Sequence, residues 1–138
     1  MEYYVKAKEV MDMDATEFVG GVSEAEIESA MEKLAVSFPE SYKAFLRDFG
    51  GGDAGGEIIF GLTEDEEDMV AITSMEREVN LPKEYIIIAF WCDALVCLDT
   101  GKMSHGECPV VELDDDYCVT KVLAESFGKF LYDYVSEE

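Results

Sequence analysis

Residues 18–62 read FVGGVSEAEIESAMEKLAVSFPESYKAFLRDFGGGDAGGEIIFGL, two helix signatures in a row closed by a glycine-rich break. Ser23 and Glu26 have the S-x-x-E spacing of a capping box, and Val22 and Ile27 are placed as the hydrophobic staple beside it. Ile27, Ala30, Met31 and Leu34 then recur at helical intervals, with Glu24, Glu28, Glu32 and Lys33 mostly off that stripe. Pro39 suits the first turn of a second helix, whose Tyr42, Phe45, Leu46 and Phe49 form an i, i+3, i+4, i+7 apolar row. Gly50, Gly51 and Gly52 end it, because glycine takes positive φ without steric cost, and Gly55 and Gly56 prolong the break before the short strand EIIFGL.

Upstream, EYYVKAKEV fits a short edge strand or a helix start equally, so residues 1–17 read as an N-terminal extension for which both assignments stay open. Downstream, TEDEEDMVAITSMEREVNLP opens on acids that favour a helix N-terminus and carries Met69, Ile72, Met75 and Val79 as an apolar stripe, with Pro82 closing the helix. YIIIAFW (85–91) and ALVCLDT (94–100) are apolar strands separated only by Cys92 and Asp93, which fits a hairpin. Gly101–Gly106 reads as a loop and PVVELD (109–114) as a further strand ended by the acidic turn Asp114–Asp116. Leu123, Phe127, Phe130, Leu131 and Tyr134 make an amphipathic C-terminal helix. Helices, then adjacent short strands, then a helix predict an α+β fold with a mainly antiparallel sheet. At 138 residues the expectation is one domain over 1–138.

Several of these residues together resemble the SUKH superfamily, which groups fungal cell-wall regulators with bacterial toxin-immunity proteins. The resemblance rests on Glu32 and Leu34, then Pro39, Tyr42, Phe45 and Leu46, Gly50 with Gly51, and Gly61. It continues through Leu81–Pro82, Leu98–Asp99, Val110–Val111 and Ser126, Phe127, Phe130 and Leu131, covering about residues 18–135. It implies a curved sheet of four to six strands flanked by helices and used as a protein-binding platform. It also implies a cytoplasmic immunity protein that neutralises a cognate toxin or, alternatively, a regulatory scaffold like the fungal relatives. Most of the matching positions are fold positions by their chemistry, so contact residues have to be argued from charge and exposure.

Charge narrows the partner. With 32 acidic and 10 basic residues the net charge is −22, too negative for a protein that tracks phosphates or sits on an anionic membrane. No apolar run is long enough to span a bilayer and no secretory leader opens the chain, which predicts a cytoplasmic protein. Between Arg47 and Arg77 lie nine acids and no lysine or arginine, and Met103–Thr120 is a second interval without either. Such a field accelerates encounter with a basic protein, although acidity also serves solubility alone. The partner contacts expected from it are Asp53, Glu57, Glu64, Asp65, Glu66, Glu67 and Asp68, with Asp93 at the hairpin and Asp114, Asp115 and Asp116 at the acidic turn. Trp91 reads either as a buried sheet residue or as an interface anchor.

Catalytic chemistry has little to stand on. The single histidine, His105, lies in the polar loop GKMSHG with no orienting group nearby in sequence, and no serine sits in G-x-S-x-G. GGGDAGG lacks the GK[ST] of a phosphate loop, and the acid runs lack the alternation of a calcium loop. Cys92, Cys97, Cys108 and Cys118 have no paired C-x-x-C spacing and read as reduced, buried thiols. No enzyme activity, cofactor or metal is expected.

Overall fold

The computed structural model describes residues 2–13, 17–18, 20–53, 58–63, 68–91 and 94–136. The N-terminal extension left open by the sequence is helix α1 (Glu2–Met13), with Tyr4, Ala7 and Met11 buried. These three positions are spaced for one helical face, and that face packs on the last helix, α5 (Phe127–Ser136). Tyr4 fastens α1 to the aromatic helix α3 (Glu40–Asp48), its hydroxyl lying 3.1 Å from the Ala44 carbonyl and 2.6 Å from Asp48 Oδ2.

Between them, α2 (Glu24–Leu34) begins at the capping box the sequence announces: Ser23 Oγ accepts from Glu26 N, and Glu26 reaches back to Ser23 N. Ile27, Ala30 and Leu34 are its buried stripe. Pro39 is the N-cap of α3 and offers no side-chain acceptor, so a distant loop supplies one. Glu107 Oε2 accepts from Ser41 N at 3.0 Å, Ser41 Oγ donates to Glu107 Oε1 at 2.6 Å, and Gly128 N donates to Ser41 Oγ at 3.0 Å. One fully buried serine thus ties together α3, α5 and the loop before the third strand of the large sheet. Ser41→Ala is expected to lower unfolding free energy by about 2 kcal/mol, because it strands a carboxylate oxygen and the Gly128 N–H. A change below about 0.5 kcal/mol in urea titration contradicts that role.

Three two-residue strands, β1 (Glu17–Phe18), β2 (Gly52–Asp53) and β3 (Ile58–Ile59), form a small antiparallel sheet. The main sheet is antiparallel and open, in the order β4 (Tyr85–Trp91), β5 (Ala94–Asp99), β6 (Val110–Leu113), β7 (Val119–Ala124). The fold is therefore α+β, as expected. Trp91 pairs with Ala94 across the anticipated hairpin. Strand β7 was not anticipated, and Leu123, read as the start of the C-terminal helix, belongs to it; α5 begins only at Phe127.

Cross-strand partners share a face. Ile86, Leu98, Val110 and Ala124 line the face toward α5, where Trp91 stacks on Phe130 with centroids 5.0 Å apart. Ile87, Cys97, Val111 and Val122 line the other face, together with Phe90, Leu95, Leu113 and Val119. There Phe60 packs edge-on against Phe90, and α4 (Met69–Val79) lies along β4.

Helix α4 corrects the sequence reading. Its buried positions are Met69 and Thr73, while Met75 and Val79 are exposed. The inner flank carries hydrogen-bonding side chains because it meets unpaired backbone: Thr73 Oγ1 accepts from Ile87 N at the edge of β4. Arg77 donates to the carbonyls of Leu34 at 2.7 Å and Lys83 at 2.5 Å, closing the end of α2 onto the start of β4. Polar work on the inside leaves Met75 and Val79 facing outward, while Ile72 is half-buried against the core.

Candidate partner-binding surface

The β6–β7 turn is built by its first acid. Asp114 Oδ1 accepts from Asp116 N at 2.9 Å and from Cys118 N at 3.0 Å, a turn that aspartate forms readily through its short side chain. Asp114, Asp115 and Asp116 are all exposed, so this expected contact cluster stands in solvent as a unit. Tyr117 follows in the left-handed region (φ 62°) and swings its hydroxyl onto α4, donating to Glu76 at 2.8 Å. Desolvation, the hydrogen bond to Glu76 and that carboxylate's charge push the Tyr117 hydroxyl up to about 12. Tyr117 was not among the expected site residues, and Glu76 was expected only as the last acid of the field between Arg47 and Arg77. The only signal in the sequence was an aromatic residue directly after three acids.

Asp68 has a structural task. Its Oδ2 accepts from Ala71 N and its Oδ1 from Thr63 N, each at 3.0 Å, making it the N-cap of α4. Trp91 is half-buried and sandwiched by α5, its ring centroid 5.0 Å from those of both Phe130 and Tyr134. Its indole N–H is buried without a hydrogen-bond partner among the described residues. Asp53 lies in β2, paired with Ile58. Glu57, Glu64, Asp65, Glu66, Glu67 and Asp93 lie outside the described residues. The structure thus groups Asp114–Asp116 near the α4–hairpin contact and puts Asp68 at the opposite end of α4.

Chemistry elsewhere is sparse. His105 is exposed in the turn closed by Ser104 and Glu107, with φ 53°. Cys97 and Cys108 are buried free thiols, but Cys118 is exposed, contrary to the expectation of burial, because it leads into the outermost strand. Among the described residues no group of three or more histidine, cysteine or carboxylate side chains is placed to hold a metal ion. A groove of about 420 Å³ between α2 and the start of α4 is lined by Ser29, Lys33, Thr63 and Val70 among others, without a histidine or cysteine. Among the described residues, no helix is long and apolar enough to cross a membrane.

The arrangement is a helix-flanked sheet with an acidic turn, and a family model described as SMI1-KNR4 cell-wall (SUKH_5) matches residues 1–136. The chain belongs to the SUKH family. The match includes α1, so the segment that the sequence left open lies within the family's span. Among solved structures, the SUKH chain is similar to a protein from Pseudomonas syringae pv. tomato, at 16% identity and a TM-score of 0.72. That likeness covers 99% of this chain and 98% of the other, and at such identity it concerns the fold alone.

Proposed function

We propose that this SUKH protein is an immunity protein: in the cytoplasm it binds the toxic domain of a cognate polymorphic toxin and neutralises it through an acidic surface. The observation that carries the reading is the charge imbalance, 32 acids against 10 bases, with an exposed run at Asp114–Asp116 on a binding-type fold. A nuclease toxin fits this best. Its active site is basic in order to hold phosphate, and an acidic inhibitor competes with nucleic acid for the same field. Neutralisation then needs no catalytic group in the inhibitor, only occupation of the toxin's active site or the approach to it.

A regulatory scaffold that binds several cellular proteins is the second reading, favoured by the cell-wall description of the matching family model. The two differ in stoichiometry and affinity, one tight partner against several weaker ones.

Reversing Asp115 and Asp116 to lysine, with Asp114 kept for the turn, tests the electrostatic part. Association with the toxin domain is expected to slow about 10-fold at low salt and to converge with wild type at high salt, dissociation changing little. Equal association rates at low salt remove that turn from the interface. Glu66 and Glu67 are the second pair to reverse. Asp68 is unsuitable, because its loss uncaps α4 at a cost of about 1 kcal/mol.

A further inference from the structure

Helix α4 and the outer strand β7 flank one side of the sheet, and among the described residues both leave apolar side chains exposed there. Val119 and Val122 pair across β6 with Leu113 and Val111, so they belong to the face on which α4 lies. Val111 and Leu113 are buried, at 3% and 0% exposure, whereas Val119 and Val122 are 45% and 62% exposed. On α4 the flank that carries Glu76 also carries Ile72 and Val79, with Met75 beside them; Met75 and Val79 are 66% and 61% exposed. The hydrogen bond from Tyr117 to Glu76 fixes that this flank turns toward the β6–β7 hairpin. A trough with apolar walls therefore runs between α4 and β7, with Tyr117 at one end.

Its charges have one dominant sign. Asp114, Asp115 and Asp116 stand at the Tyr117 end, and Glu78 lies on the outer side of α4. Arg77 is turned away, engaged with the Leu34 and Lys83 carbonyls on the other flank, which leaves Lys121 of β7 as the nearby base among the described residues. Helical spacing alone would bury Met75 and Val79 along with Met69 and Ile72, but Thr73 and Arg77 hold the inner flank there instead.

We propose that this trough is the docking surface for a basic protein segment that presents an apolar side chain between lysines or arginines. The apolar side chain enters between Met75, Val79 and Val122, and the flanking cations meet Asp114–Asp116 and Glu78. Charge complementarity selects such an occupant: an acidic or neutral segment would meet the carboxylates unpaired, and a purely cationic one would leave the valines and methionine in water. The proposal rests on the protein-binding reading above and assigns it a place.

The test is methyl NMR of the labelled full chain titrated with a short synthetic peptide alternating lysine and leucine. Oligolysine and the same peptide with glutamate for lysine serve as comparators. Saturable shifts are expected at Ile72, Met75, Val79, Val119 and Val122, with binding weakened about 10-fold or more by Met75→Glu with Val122→Glu. Oligolysine is expected to bind at least about 10-fold more weakly and the glutamate peptide not to bind. Shifts centred elsewhere, oligolysine binding as tightly, or an unaffected double variant would each overturn the proposal. If a captured natural partner proves non-toxic while the lysine–leucine peptide still titrates the trough, immunity fails and the trough stands. If a toxin is neutralised equally by wild type and the double variant, the trough fails and immunity stands.

Discussion

Gly61→Ala is expected to cost about 3 kcal/mol or more of folding free energy, a large share of the stability of a domain this size. A Cβ on Gly61 would lie 1.8 Å from the Gly50 carbonyl oxygen and 2.9 Å from Gly51 Cα. Conversely, a Cβ on Gly51, which also sits at φ 129°, would meet Gly61 N at 2.8 Å. The chain leaving α3 and the chain leaving β3 cross here at a distance that only glycine allows. The crossing is held by Leu62 N donating to the Gly50 carbonyl at 2.9 Å, and Met69 N donates to the Gly61 carbonyl at 2.7 Å as α4 begins. A methyl group pushes the segments apart, breaks the first of these bonds and disturbs the base of α4. Gly20→Ala is the control, since a Cβ there meets nothing within 4 Å and only the positive φ of 103° is strained, at about 1 kcal/mol. Equal losses for the two variants in urea denaturation would refute the crossing as the cause.

Stability is expected to fall steeply above pH 9. Burial, then the charges of Asp99 and Glu76, raise the Cys97 thiol far above its ordinary 9.0. Burial, then Glu107 and Asp99, push Cys108 up to about 12. Tyr42 is raised from 10.0 in the same direction by complete burial and by the charge of Asp68, its hydroxyl donating to the Phe60 carbonyl at 2.7 Å. Each group holds its proton more tightly folded than unfolded. The stability this represents is whole below the unfolded thiol value near 9 and is lost as pH climbs toward the folded values. Each thiol costs about 1.4 kcal/mol per pH unit in that window, so the pair costs about 3 kcal/mol by pH 10, before the tyrosine adds its part. Urea midpoints at pH 8, 9 and 10 measure this, and Cys108→Ala should remove about half of the thiol slope. Unchanged unfolding free energy from pH 8.5 to 10 would contradict the burial of both thiols.

Elements whose instructions are local were legible in the sequence. The Ser23–Glu26 capping box, the Tyr42–Phe45–Leu46–Phe49 row and the 85–99 hairpin need no distant partner to be recognised, and each is present. Strand β7 is different: VTKVLA is exposed along most of its length and is a strand through pairing with β6, so Leu123 looked like the helical spacing of α5. In α4 the second half of the apolar stripe, Met75 and Val79, faces solvent because Thr73 and Arg77 satisfy backbone groups of other elements, which no single-helix pattern can show. The candidate surface divides likewise. Exposure of Asp114–Asp116 follows from a turn rich in aspartate, while the capping role of Asp68 and the Tyr117–Glu76 bond depend on where α4 lies.

The most direct test of the central claim is recovery of the native partner from host lysate on the immobilised protein at low and moderate salt. The recovered protein is then assayed for toxicity with and without an equimolar amount of this chain. A single toxic partner, fully inhibited at one-to-one stoichiometry and held less tightly as salt rises, is the predicted result. Several partners with no toxic activity, or a toxic partner that stays active at saturation, would contradict the account.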